Sequence, residues 1–410
     1  MLPEGWSVLK LDDVVTKTQL GTTERGTEDK SSSNSIPLIK MGNLGWGSIN
    51  FKKVEMIDKS YFDESLLLER GDFLFNTRNT PDLVGKSAVW LEDYPATFDN
   101  NINRISFKPV INSYYISYYL NNGKGKSLIQ ALPAGSTSVA AIYWKDLKNI
   151  KLVLPPLPEQ KKIAQILSTW DNAISATKRL LENSQQRKKA LMQQLLTGKK
   201  RLPGFEEEWK SGTLAEIANI DSGYAFKSSD FTDSEEGIPI VKMSDFKEGR
   251  LDLSQAAKVS TNYLSNIDKF KLQVGDFVFG MSGSLSNYAW VKVENLPCYL
   301  NQRVGRIVSK KNANHLFVTY LYLSDKVQQS ILDKAAGAAQ LNISVTDLRK
   351  LPVKYPSKIE QQAIANILTT ADQEIDALQK RLEHLKLEKK ALMQQLLTGK
   401  RRVVADVDAA

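Results

Sequence analysis

Among 410 residues there is one cysteine, Cys298, and there are two histidines, His315 and His384. A single thiol excludes an intrachain disulfide and any multi-cysteine zinc site. Two histidines leave little for metal binding or imidazole catalysis. No run of about 18 apolar residues exists to span a bilayer, and Met1–Lys10 lacks the apolar stretch of a secretory signal. Phosphate-binding loops are missing as well. A P-loop needs Gly-x4-Gly-Lys-Ser/Thr, but Gly85-Lys86-Ser87 has Thr80 at the first glycine position and Gly125-Lys126-Ser127 has Leu120. There is no Gly-x-Gly-x-x-Gly, no Asn-Pro-Pro-aromatic segment to hold a flipped base, and no Glu-x-Lys within about 30 residues after Pro81-Asp82 to complete a nuclease motif. Cys298 has no neighbouring histidine to activate it. His384 lies among helix positions, and His315, after Asn312–Asn314, reads as a loop residue. These absences describe a soluble, cytoplasmic protein that advertises no catalytic centre.

What is present is a repeat. KKALMQQLLTGK at Lys188–Lys199 recurs without change at Lys389–Lys400, an offset of 201. The same offset aligns Glu159-Gln160 with Glu360-Gln361, Ile163-Ala164 with Ile364-Ala365, and Asp171 with Asp372. Weaker matches continue outside. IPLIKM (Ile36–Met41) answers IPIVKM (Ile238–Met243), GDFLF (Gly71–Phe75) answers GDFVF (Gly275–Phe279), NINRI (Asn101–Ile105) answers RVGRI (Arg303–Ile307), and Trp6 answers Trp209. The chain is two copies of a divergent arm followed by a near-invariant segment. TGKKR-LPGF leads into Trp209, and TGKRR at the other end precedes nothing but a tail, while Leu2-Pro3 leads into Trp6. The cycle therefore closes on itself, as a pseudo-twofold arrangement would require.

The invariant segments read as long helices. Pro155, Pro156 and Pro158 block helix upstream, and no Gly or Pro follows from Glu159 to Thr197. Ile163, Leu167, Trp170, Ile174, Thr177, Leu181, Ser184, Lys188, Leu191 and Leu195 alternate steps of four and three. Ile364, Leu368, Ala371, Ile375, Leu378, Leu382, Leu385, Lys389, Leu392 and Leu396 repeat the pattern. This is a heptad seam. Gly198 and Gly399 stand where a helix C-cap belongs. About 38 residues give a helix of roughly 57 Å. The expectation is an antiparallel coiled coil between the two. The alternative is that each helix packs on its own arm.

The arms read as mixed α and β. Ile36–Ile39, Phe73–Phe75, Ile238–Val241, Phe277–Phe279 and Ala289–Val293 are strand-like runs, and Tyr114–Leu120 and Phe317–Leu323 are short amphipathic helices. The predicted class is α+β, with arms at 1–157 and 202–356, spacer helices at 158–201 and 357–402, and a tail at 403–410.

This layout resembles the specificity (S) subunit of type I restriction–modification systems. LPPLPEQKKIAQILS at Leu154–Ser168, the paired KKALMQQLLTGK ends, and IPLIKM, GDFLF and NQRVGRI carry the resemblance. The second copy departs from it at Tyr355–Gln361, which keeps one proline where the first copy has three. The resemblance implies that each arm is a target-recognition domain for one half of a split, asymmetric DNA site. It implies helices that set the gap and dock two methyltransferase (M) subunits, restriction (R) subunits joining them, and no catalysis by this chain. S-adenosylmethionine would then belong to M, and ATP and Mg to R. A specificity subunit of a fused nuclease–methyltransferase, or a coiled-coil scaffold whose arms bind protein, are the competing readings.

Base readout uses Arg, Lys, Asn, Gln and Ser. The candidates in arm 1 are Lys40, Asn43, Arg78, Asn79, Lys86 and Arg104. Those in arm 2 are Lys242, Ser244, Ser282, Ser284, Asn287, Gln302, Arg303 and Arg306. The small polar loops Gly135–Ser138 and Gly337–Gln340 are further candidates. Arg104 and Arg306 match between arms, which suggests structure or phosphate contact, whereas Arg78 and Asn79 face Met281 and Ser282 and suit differing specificity. Recurring helix residues are candidates for docking M: Lys188, Lys189, Gln193, Gln194, Lys389, Lys390, Gln394 and Gln395. The net charge of +9 is uneven. Arms 1 and 2 carry +1 and 0, and the helical segments +7 and +3. Near-neutral arms suggest weak DNA binding by the chain alone.

Overall fold

The computed structural model describes residues 2–27, 34–135, 139–260, 267–336 and 341–404. Two compact units share them. One comprises residues 1–178 and 380–410, the other 179–379. Each unit therefore holds one arm, the start of one long helix and the end of the other. Among the described residues no helix is long and apolar enough to cross a membrane.

The two arms repeat one frame. In arm 1 a four-stranded antiparallel sheet runs in the order Val15–Leu20, Ile102–Phe107, Phe73–Asn76, Ser87–Val89. In arm 2 the order is Ala218–Ser222, Val304–Ser309, Phe277–Gly280, Tyr288–Trp290. The GDF-aromatic runs are the buried central strands, with Phe73, Phe75, Phe277 and Phe279 at most 1% exposed. A second, smaller sheet contains the IPLI or IPIV run, paired in parallel with Thr97–Phe98 or Tyr299–Leu300. A ribbon of Ser7–Lys10 with Lys151–Leu154, matched by Lys210–Thr213 with Pro352–Tyr355, ends each arm at the proline hinge. The run expected at Ala289–Val293 stops at Trp290, because the Asn295 side chain accepts the Lys292 N–H and turns the chain. His315 opens the helix His315–Tyr322 instead of lying in a loop, and Asn314 caps that helix through the Phe317 N–H.

The long helices span Leu157–Leu195 and Lys358–Leu396. Every seam position in both is buried or half-buried, while off-seam Leu180, Ile359 and Leu387 are exposed. In the first unit, Ile163, Ala164 and Leu167 share a core with Leu396 and Leu397 and with the arm's Tyr115, Ile116 and Leu152. In the second, Ile364, Ala365 and Leu368 share one with Leu195 and Leu196 and with Phe317, Leu321 and Val353. The two helix segments within each unit run antiparallel, since Asp171 meets Lys389 and Asp372 meets Lys188. Each helix start lies on its own arm and against the end of the other helix.

The Glu-Gln pair explains how arm and helices join. Glu159 is 3% exposed, and Arg402 grips it with two bonds of 2.8 and 2.9 Å while the Trp6 indole donates at 3.1 Å. Glu360 is 1% exposed and is gripped by Arg201 at 2.8 and 2.8 Å. Gln160 accepts the Asn112 N–H and donates to the Pro155 carbonyl, and Gln361 does the same with Asn314 and Pro356. Arg402 also donates to the Glu4 carbonyl, and Arg201 to that of Glu207. Gly198 and Gly399, both at φ +71°, turn the chain off each helix so that these arginines reach back. A Cβ at Gly399 would lie 2.5 Å from the Pro3 ring, so a side chain there meets both backbone strain and a clash.

Two outcomes follow from this packing. Leu368→Ala removes a fully buried seam side chain and should cost about 3 kcal/mol. Leu387→Ala, on an exposed face, should stay within about 0.5 kcal/mol. Urea unfolding of the two variants checks the assignment, which equal effects would reverse. Cys298 is buried among Leu272, Val278, Val291 and Leu300. Burial, aided by Asp276, pushes its thiol up to about 12. At pH 8 it should resist a disulfide reagent until denaturant is added, and rapid labelling of native protein would contradict this placement.

Candidate functional site

At the end of each central strand three distant segments converge. In arm 1 the Thr77 N–H donates to the Asn101 carbonyl at 2.8 Å and the Ile142 N–H donates to the Thr77 carbonyl at 2.9 Å. Arg78 and Asn79 then pair with Ala141 and Ala140. In arm 2 the Met281 N–H donates to the Arg303 carbonyl and the Ile343 N–H to the Met281 carbonyl, each at 3.0 Å. Ser282 pairs with Asn342. The backbone of this rim is therefore common to both arms, and its side chains differ.

Arg78 is exposed and Asn79 half-buried, its side chain accepting the Thr80 N–H. Arg78 lines a cleft of about 670 Å³ with Asn100, Asn101, Asn103, Tyr143 and Trp144, and no acidic residue lines it. Lys86 is half-buried nearby on the chain. In arm 2 Gln302 and Arg303 are exposed, Ser282 is half-buried, and the Ser284 hydroxyl donates to the Asn287 carboxamide at 3.1 Å. Sequence reading picked Gln302 and Arg303 but passed over Asn100 and Asn101, their counterparts in arm 1. The NINRI–RVGRI alignment already held that signal. Tyr143, 51% exposed, was also passed over.

The remaining arm candidates are engaged within the fold. The Asn43 carboxamide accepts the Lys40 N–H and donates to the carbonyls of Asn50 and Lys53. Lys40 pairs with Glu55 at 2.8 Å. Arg104 binds Asp72 and the Leu67 carbonyl, and Arg306 binds Asp276 and the Lys271 carbonyl. Lys242 lies 4.2 Å from the Phe231 ring, and Ser244 donates to Asp245. Of the two small loops, Ser136–Ser138 and Gly337–Gln340 lie outside the described residues.

The helix ends form a second repeated site. Lys389 pairs with Asp171 and lies over the Tyr118 ring, whose hydroxyl donates to Asp171 at 2.7 Å. Lys188, Asp372 and Tyr320 repeat this, with a Tyr320–Asp372 bond of 2.6 Å. Burial, together with the adjacent carboxylate, pushes both phenols above their usual range, so each keeps its donated proton. Lys189, Gln194, Lys390, Gln394 and Gln395 are exposed, and Gln193 donates to Asp325 at 3.0 Å. A cleft of about 640 Å³ in the second unit lies between Lys189, Met192, Gln193 and the Leu323–Lys326 turn. Its counterpart in the first unit, about 420 Å³, lies between Lys390, Met393, Gln394 and the Asn122–Gly125 turn.

The family model described as the type I restriction modification DNA specificity domain matches residues 3–183 and again 206–387. The putative type I restriction enzyme MjaX specificity subunit of Methanocaldococcus jannaschii is 26% identical over 421 residues, spanning 98% of this chain and 95% of that one. The EcoKI specificity subunit of Escherichia coli is 22% identical across 97% of this chain and 88% of its own. Among solved structures, the type I S subunit from M. genitalium shares the fold with a TM-score of 0.61, at 17% identity, over 95% of this chain and 96% of that one. The twofold match of the family model falls on the two copies that the repeat defines, and the chain belongs to the type I restriction–modification DNA specificity family.

Proposed function

We propose that this chain is the non-catalytic reader of a type I restriction–modification complex. Each arm reads one half of a split, asymmetric DNA site. The two long helices form an antiparallel coiled coil that fixes the gap and docks two methyltransferase subunits, with restriction subunits joining them in the cytoplasm. S-adenosylmethionine is carried by the methyltransferase subunits, and ATP and Mg by the restriction subunits. One observation carries this reading. Matched backbones bear different side chains at the arm rims and identical side chains at the helix ends. Two different readers need the first property, and two copies of one partner need the second. Joining two short readers through a rigid spacer multiplies specificity that neither reaches alone.

The arms are nearly neutral, so phosphate attraction contributes little to binding by the arms themselves. On its own it should retard duplex DNA weakly. With methyltransferase subunits and S-adenosylmethionine it should methylate a bipartite sequence with one fixed gap, read by sequencing the modified adenines. Methylation without a bipartite pattern, or none, defeats the proposal. Lys188 and Lys389 are tied to Asp372 and Asp171, so Lys189 and Lys390 are the better probes of docking. Lys189→Glu with Lys390→Glu should lower co-purification of the methyltransferase subunit several-fold without lowering the thermal midpoint. Undiminished complex formation moves the docking surface elsewhere.

A further inference from the structure

The two rims differ in a patterned way. In arm 1 the segment after the central strand carries Arg78, and the turn bonded to it carries Asn101. In arm 2 Met281 takes the place of Thr77, so Ser282 corresponds to Arg78, one residue on from the pairing expected from sequence, and Arg303 corresponds to Asn101. Each rim thus has one exposed arginine, on opposite sides of the same backbone seam. Neither Arg78 nor Arg303 is drawn into an ion pair among the described residues, whereas Arg104 and Arg306, alike in both arms, each are.

A third position separates the arms. Ser344 caps the helix Val345–Arg349 by accepting the Asp347 N–H. Tyr143 takes the same place before Trp144–Leu147 and makes no side-chain cap bond. Serine is among the preferred residues at this position and tyrosine is not. Arm 1 therefore gives up a local stabilisation to hold a half-exposed aromatic ring on the cleft that Arg78 lines. Departures of this kind from local rules concentrate at functional sites.

We infer that each arm reads a guanine of its half-site with this single rim arginine, Arg78 in arm 1 and Arg303 in arm 2, and that Tyr143 contacts the bases beside it in arm 1. Arginine is suited to the task because its rigid fork matches O6 and N7 of guanine, a pairing lysine cannot reproduce with the same geometry. Moving the arginine across the seam shifts which base of the half-site it meets, with no change of backbone. This inference rests on the DNA-reading function proposed above.

The test uses the chain assembled with its methyltransferase subunits. Duplexes randomised in both half-sites are methylated with S-adenosylmethionine and sequenced. Arg78→Ala should relax the preference at one guanine in the first half-site by roughly tenfold and leave the second half-site intact. Arg303→Ala should do the converse. Arg78→Lys, which keeps the charge but loses the fork, should relax the same position. Tyr143→Ser should raise the thermal midpoint while weakening selection of the first half-site. An equal loss on all sequences, full rescue by lysine, or unchanged preferences in the variants overturns the inference. A wild-type complex with no bipartite preference instead defeats the reading on which it rests.

Discussion

A carboxylate buried in the first turn of each long helix requires a cation, and in both units the cation comes from just beyond the end of the other long helix. Glu159 takes Arg402, and Glu360 takes Arg201. Removing the arginine leaves a carboxylate in a place water scarcely reaches, whereas the arginines themselves are partly open to solvent, so the costly loss is that of the cation. The helix start also favours negative charge, and the arginines sit past the opposite helix end, so both groups agree with the backbone dipoles. Everything near each joint follows from it. The glycine turn at φ +71° sends the arginine back, the neighbouring glutamine bonds the arm to the proline hinge, and the arm's core closes over the same leucines. The joint is made twice, and in the first unit the chain's beginning supplies the Trp6 indole and the Glu4 carbonyl.

A joint of this kind constrains which residues can vary. The identical KKALMQQLLTGK ends hold seam leucines, a lysine locked between an aspartate and a tyrosine ring, and a glycine turn, all with fixed partners. Lys189, Gln194, Lys390 and Gln395 are exposed and lie off the seam, yet they too are identical. Packing therefore accounts for only part of that identity. The rim residues have the opposite character, with a shared backbone and differing side chains.

The periodic parts of this architecture were legible in the sequence. The heptad seam, the starts of the two long helices and the central strands follow from spacing, because burial imposes the period, whereas the helices end at Leu195 and Leu396, six residues short of the segment ends at 201 and 402. Glu-Gln was visible as a motif, but its role was not, since Arg201 and Arg402 lie 159 and 243 residues away from their partners. The rim was less legible for the same reason. Arg78, Asn101 and Tyr143 belong to separate segments, joined by hydrogen bonds through Thr77 that no local pattern records. Asn43 illustrates the converse error of scale: a polar residue after a strand looks available, and its carboxamide is filled by three backbone groups.

Charge completes the division of labour. The arms are balanced, and the positive excess lies on the helical segments. Within these, Lys188, Lys389, Arg201 and Arg402 already face carboxylates. Lys189, Lys199, Lys200, Lys390, Lys400 and Arg401 are exposed about the two helix ends. Long-range attraction is thus placed on the invariant part of the chain, and short-range discrimination on the variable part. Phosphate or carboxylate attraction carries no base information, whereas one arginine fork does. A reader whose arms held the charge would bind any duplex strongly and dilute its own selectivity. On the reading proposed above, near-neutral arms leave the fit of individual side chains to base edges to weigh against non-specific binding.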